Sequence, residues 1–420
     1  MKDKRILMLI NEFPPVGESG VQRPLKFLKY LARSGWDCLV VTPSQPTKTV
    51  LDRSLCREIP QSARIIRTPS WGLRGKSVDL VASIRQESAS VSIKGLSSRL
   101  LMRLNHMLFP IDKQIGWVPF AFIYALFFIK RYKLRNLYIT AFPFSAMLVG
   151  ILLKKCLGDK LFWVADYRDG WQFEPLIESV LPKRRMRFIR WMDEQVLRHC
   201  DKAVFVTESI RCQYIKAYPW MSKRAELITN GYDEDDFTEL VRQSFETPTL
   251  VYMGKIYNLN RPNLLPLLDA LRGSDLSTPL IHIGSLALDA RAQIERNGYD
   301  FYNFKGYKTH REALSIAAGA AVNLLLLNDD KVSEGVYTGK VFELLRLGPP
   351  ILALGPKQGL VKELIETSGA GVYVWVQDSE AIIPALKRLL EHPESYRCRP
   401  DILQNFRRSY LTERLAALYE

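Results

Sequence analysis

A chain of 420 residues is too long for one ordinary core, so two domains are expected. Apolar residues at 47% and charged residues at 25% make a globular composition, and no run reaches the ~20 apolar residues of a membrane-spanning helix. The net charge of +15 suits an anionic partner: a nucleotide diphosphate, a nucleic acid or an acidic membrane face.

The first strand is expected at Arg5 to Asn11, feeding the loop Val16 to Gly20 and a helix from Val21 to Arg33. Strand, glycine loop and helix form the phosphate-cradling unit of a doubly wound fold. Gly17 and Gly20 lack the G-x-G-x-x-G spacing, so a dinucleotide fingerprint is not supported, and a plain tight turn fits equally. Arg23 or Lys26, on the helix, could meet an anion. Strands follow at Cys38 to Thr42 and Arg64 to Thr68, separated by long polar loops.

Ser97 to Met107 is basic and amphipathic, and Arg99 and Arg103 could hold it on an anionic membrane. The apolar run Gly116 to Ile129 then reads as a buried helix. A strand at Leu137 to Thr140 and a helix at Phe144 to Lys155 lead to the strand Lys160 to Ala165. That strand ends in Asp166, Arg168 and Asp169, where α/β proteins place their ligands. Asp166 and Asp169 are candidate bases; an Asp–Arg pair that merely holds the loop is the alternative. Asp166 is expected to face a cleft, and Arg168 either to pair with Asp169 and fix the loop or to reach a phosphate itself. A strand at Ala203 to Thr207 closes the first sheet. The acidic run Asp233 to Asp236 lacks the spacing and central glycine of an EF-hand, so calcium is discounted.

The second half alternates strand and helix again, with strands at Thr249 to Met253, Leu280 to Ile283, Phe304 to Tyr307 and Val322 to Leu327. Lys255 and Arg261 flank the first strand–helix turn and could neutralise a pyrophosphate without a metal. The most informative stretch is Thr338 to Gly355, TGKVFELLRLGPPILALG. It reads as a turn, a short helix stopped by Gly348 and Pro349, and a buried strand. Thr338, Gly339 and Lys340 open the helix, where free N–H groups favour a phosphate. Glu343 stands one turn in, able to accept hydrogen bonds from sugar hydroxyls. An ordinary crossover with a surface glutamate gives the same pattern. A strand at Gly371 to Val376, a helix at Ser379 to Glu391 and a helical end at Leu403 to Tyr419 complete the chain.

This last stretch resembles the donor-site helix of GT-B glycosyltransferases of the family 4-like group. Glu343 matches the second Glu of their E-x7-E pattern; Gly335 stands at the first, with Glu334 one position off. Leu227 to Asp233 resembles their hydrophobic-x-N-G-x-D segment, and Gly254-Lys255 with Arg261 their diphosphate-clamping basic pair. Gly17 and Gly20 match in kind the loop over the donor phosphates, and Tyr307 falls near their nucleobase site. Asp166-Tyr167-Arg168-Asp169-Gly170-Trp171 resembles the D-F-R-D-x-W of a carboxylate-bearing subgroup.

The resemblance implies an α/β chain of two doubly wound, Rossmann-like domains facing a cleft. They would be an acceptor-side domain at 1–230, a nucleotide-sugar domain at 231–397 and a helix at 398–420 crossing back. It implies transfer of a sugar, with retention, from a nucleotide-diphosphate donor to a glycan or lipid-linked acceptor in surface-polysaccharide or glycolipid synthesis. The donor is a co-substrate; no cofactor is expected, and no D-x-D motif at a strand end calls for a metal. Two rivals stand beside it: a GT-B nucleotide-sugar epimerase, and a non-enzymatic basic adaptor on membrane or nucleic acid. No Lys/Arg run interleaved with aromatics supports nucleic acid. The six cysteines lack C-x-x-C pairs and no secretory signal opens the chain, so reduced thiols in a cytoplasm are expected, with a place at the inner face of the cell membrane.

Overall fold

The computed structural model describes residues 3–17, 19–45, 51–71, 112–173 and 181–420. Ser97 to Met107, with Arg99 and Arg103, lies outside the described residues. The chain divides into two compact units: Met1–Thr229 with Leu411–Glu420, and Asn230–Tyr410.

In the first unit the strands are β1 (Arg5–Leu9), β2 (Asp37–Pro43), β3 (Arg64–Thr68), β4 (Asn136–Ala141), β5 (Phe162–Tyr167), β6 (Lys202–Phe205) and β7 (Ala225–Leu227). They form one parallel sheet in the order β3-β2-β1-β4-β5-β6-β7. The order reverses beside β1, so β1 and β4 flank the switch point where such sheets bind ligands. The strands are near-continuous apolar runs because helices cover both faces. The helices are α1 (Ser19–Arg33), α2 (Val118–Tyr132), α3 (Ala146–Leu157), α4 (Lys183–His199) and α5 (Glu208–Ala217).

Side chains of α2, α3 and α4 share one core with Leu7, Leu39, Leu137 and Trp163. On the other face α1 packs with Ile6, Met8 and Val40, and Leu411 and Leu415 from the end of the chain complete that core. Three features differ from the sequence-based expectation. The sheet closes on β7, not β6. The helix α4 had given no sequence signal strong enough to name. The run around α2 is covered on one side only: Ala121 and Ala125 are fully buried, but Ile123 and Phe127 are about 60% exposed.

In the second unit β8 (Leu250–Ile256), β9 (Leu280–Leu286), β10 (Tyr302–Phe304), β11 (Val322–Leu326), β12 (Ile351–Gly355) and β13 (Gly371–Trp375) form a parallel sheet ordered β10-β9-β8-β11-β12-β13. Its switch point lies between β8 and β11. The helices are α6 (Leu265–Arg272), α7 (Leu288–Asn297), α8 (His310–Ala318), α9 (Gly339–Leu347), α10 (Leu360–Ser368), α11 (Ile382–Glu391) and α12 (Arg408–Ala417), the last running on into the first unit's residues. Val341, Phe342, Leu344, Leu345 and Leu347 bury the apolar side of α9 against β11 and β12, which fixes the direction of its open end. All six cysteines are free thiols.

Candidate functional site

At the end of β5 the structure corrects the expected roles. β5 runs on to Tyr167, so Asp166 lies inside the strand, opposite Thr140 of β4, and is fully buried. Its carboxylate accepts bonds from Arg23 Nε and Nη2, the closest at 2.7 Å, from Tyr138 Oη at 2.6 Å and from Thr140 Oγ1 at 3.0 Å. Arg23 also donates to the carbonyls of Ile228 and Thr229. Burial opposes the Arg23 charge, but Asp166 outweighs it and holds the guanidinium above its ordinary pKa. Both groups are thus used up internally: Asp166 faces no cleft, and Arg23 is not available to an outside anion. Lys26 is spent likewise, on Glu58 at 2.6 Å.

Arg168 does not pair with Asp169. It donates to the carbonyls of Ala141 and Phe142, both at 2.7 Å, to the carbonyl of Gly20, and to Glu12 at 3.2 Å. This binds the chain after β4 to the start of α1. Gly20 opens that helix, and any side chain there would collide: a Cβ would sit 2.2 Å from Glu12 Oε2 and 2.3 Å from Arg168 Nη1. Gly17 lies against Asp52, where a Cβ would approach to 2.9 Å. Asp169 is exposed, and among the described residues its carboxylate has neither hydrogen bond nor ion pair. One further polar group is unspent: the amide of Asn11, just past β1 at the switch point, is 3% exposed and both its atoms lack partners. An amide buried without partners is costly. Sequence reading had absorbed it into the first strand.

The second unit gathers most of the other candidates around the start of α9. Thr338 precedes the helix without capping it by its side chain, and its buried hydroxyl has no partner. Lys340 reaches back to the end of β8. Its ammonium lies 5.3 Å from the ring centre of Tyr252, with no hydrogen bond or salt bridge among the described residues. Gly254 makes room for it: a Cβ there would stand 2.3 Å from Lys340 Nζ. The ammonium is enclosed although the residue as a whole is half-buried. That enclosure pulls its pKa down to about 8, while nearby Glu343 pulls it up.

Glu343 is half-buried, and its Oε1 lies 3.0 Å from Nε2 of His310; Oε2 is unoccupied. His310 is the first residue of α8, whose start is fixed by a capping box between Thr309 and Glu312. His310 had no sequence signal, because the pairing joins positions on different helices. A second histidine supports the floor. His282 is buried, with Nε2 2.9 Å from the Gly254 carbonyl and Nδ1 2.5 Å from Tyr302 Oη. Burial lowers its pKa to about 4, so it is neutral, donates to Gly254 and accepts from Tyr302.

Lys255 is exposed at the end of β8, 4.8 Å from the Tyr257 ring centre. Arg261 closes the turn that follows: its carbonyl accepts from Tyr257 N at 2.9 Å and its N–H donates to Asn258 at 3.0 Å. Asn263 then ties that turn to the end of β11 through the Leu327 carbonyl. Tyr307 is 68% exposed. Glu334 binds Gln358 and sits in a short helix of its own.

Two all-parallel doubly wound sheets in this order match solved structures over nearly the whole chain. HepE of Anabaena, solved in complex with UDP, is 13% identical and aligns over 99% of both chains with a TM-score of 0.65. The chain has the GT-B fold. WaaG, a glycosyltransferase involved in lipopolysaccharide biosynthesis, aligns over 99% of both chains with 13% identity and a TM-score of 0.58. The same GT-B architecture appears in a putative UDP-N-acetylglucosamine 2-epimerase from Listeria monocytogenes, at 11% identity, 99% and 95% coverage and a TM-score of 0.55. No protein-family model and no curated relative matches the chain.

Proposed function

We propose that this protein is a glycosyltransferase that takes a sugar from a nucleotide-diphosphate donor bound at the start of α9. The observation that carries the reading is the unpaired ammonium of Lys340, enclosed at an uncapped helix start one turn ahead of Glu343. A cation held in partial desolvation without a counter-ion gains strongly when an anion arrives. The N–H groups of Gly339 and Lys340 add the helix's positive end to the same place. Glu343, oriented by His310, offers Oε2 to the hydroxyls of a ribose.

As the glycosidic bond breaks, negative charge builds on the departing diphosphate. Lys340, with Lys255 and Arg261, stabilises that charge without reorganising. The proposal needs no metal. In the first unit Asp169 is the accessible carboxylate at a strand end, and it takes the acceptor's proton. Asp166 and Arg168 hold the surrounding chain. Transfer takes place in the cytoplasm, to a glycan or lipid-linked sugar of a surface polymer; with Asp169 as the base a single displacement inverts the anomeric centre, whereas retention has the departing diphosphate itself take the acceptor's proton on the leaving group's face.

The deciding experiment is a melting screen against nucleoside diphosphates and their sugars. A ligand at 100 times its Kd stabilises the protein by about 2.7 kcal/mol. Stabilisation by a nucleoside diphosphate that is lost in Glu343→Ala supports the site; no stabilisation by any of them overturns it. Free sugar or an isomerised donor formed without acceptor would replace the transferase reading by the epimerase.

A further inference from the structure

We propose that the outer faces of α2 and α4 form the surface by which this protein rests on an anionic lipid bilayer. α2 packs on α3 and α3 on α4, in one layer over the first unit's sheet. The layer is apolar beneath and, unusually, also carries large apolar groups on its outside. Ile123 and Phe127 of α2 are 61% and 59% exposed, and Phe188 and Trp191 of α4 are 36% and 53% exposed.

The charge of this layer has one sign. α2 and α3 contain no acidic residue and end in Lys130–Arg131 and Lys154–Lys155. α4 begins KRRMRFIRW, and Lys183, Arg184 and Arg187 are exposed without ion pairs. The acids of α4 are already engaged: Asp193 is buried against Tyr167 and Gln172, and Glu194 is paired with Arg198. Cations at the positive end of a helix dipole are locally unfavourable. An anionic surface outside reverses that balance. A second copy of the chain would instead press the same positive face against itself.

The geometry fits lying on a bilayer rather than crossing one. By length and composition Gln114–Tyr132 could cross a membrane. However, α2 has 15 residues and is seated on the sheet through Ala121, Ala125 and Ile129. Only its outer side chains are free to enter the headgroup region, where Trp and basic residues are favoured. This inference uses no residue of the donor site and stands or falls separately from it.

The test is co-sedimentation of the full chain with phosphatidylcholine vesicles, with and without phosphatidylglycerol. The expected result is pelleting on the anionic vesicles only, with release by salt. Each neutralised cation should weaken partition about fivefold, so Arg184→Gln with Arg187→Gln should lose about 25-fold at unchanged melting temperature. Trp191 emission should shift to the blue on binding, and Trp191→Phe should remove that shift. Equal pelleting on both vesicles, none on either, or wild-type partition of the double variant would overturn the proposal. So would a wild-type dimer that the double variant converts to a monomer, since the face would then join two copies.

Discussion

Replacing Asp166 by asparagine should unfold the first unit more readily and leave the chemistry of surviving molecules largely intact. The carboxylate is fully buried and accepts from four side-chain donor atoms, two of them Arg23 Nε and Nη2, closest at 3.0 and 2.7 Å. An asparagine keeps one oxygen for Tyr138 or Thr140 but leaves the Arg23 charge uncompensated in the core. Removing one partner of a buried pair costs about 3–5 kcal/mol. In a unit of this size each kcal/mol lowers Tm by about 2–4 °C, so a fall on the order of 10 °C is expected. Urea unfolding gives the free energy, and turnover is then normalised to folded protein. The double variant Asp166→Leu with Arg23→Met should recover much of the loss, because apolar replacements of a buried pair are often neutral. A variant as stable as wild type yet inactive per folded molecule would refute the closed-cluster account and make Asp166 the base.

Asp169→Asn should do the opposite, lowering turnover about 10²–10⁴-fold in single-turnover measurements while Tm stays put; an active variant would leave the first unit without a carboxylate base. Glu343→Ala should weaken nucleotide binding by about 1.5–3 kcal/mol in calorimetry, with the fold retained because the residue is not in the core. Lys340 gives a pH signature. Its pKa lies near 8 in the fold, so charge, and with it nucleoside diphosphate affinity, should decline as pH rises through that value. Lys340→Met should bind more weakly and show no such decline. The same depressed pKa means the ligand-free protein sheds this proton before the unfolded chain does, so its contribution to stability rises between about pH 8 and 10.5.

Most strands were legible because both faces of each parallel sheet are covered, which writes them as apolar runs; β3 was read at Arg64–Thr68 to the residue, but the short β7 was missed and the strand expected at Phe304 to Tyr307 instead ends at Phe304. α9 and β12 were legible for a local reason, an apolar stripe followed by Gly348 and Pro349. α4 was not, since Met186, Ile189, Met192 and Val196 have helical spacing but stand among a crowd of cations. The one-sided cover of α2 could not be read either, because an apolar run does not say which of its faces meets the sheet. Ion-pair partners were the least readable feature. Asp166 finds Arg23 far back in the chain, Arg168 finds Glu12, and Lys340 settles beside Gly254, while sequence reading pairs neighbours. Arg168 and Asp169 are adjacent on a bend, yet Arg168 is taken up by Glu12 and by backbone carbonyls.

The end of the chain has a bearing on the order of synthesis. Leu411 and Leu415 are fully buried among Ile6, Met8 and Val40, and Tyr419 Oη bonds to the Leu137 carbonyl at 3.0 Å between the rings of Trp36 and Phe162. A ribosome therefore finishes the whole second sheet before the first has its last wall. Until residues 411–420 emerge, the nascent first unit presents an open apolar groove, the kind of surface that chaperones bind.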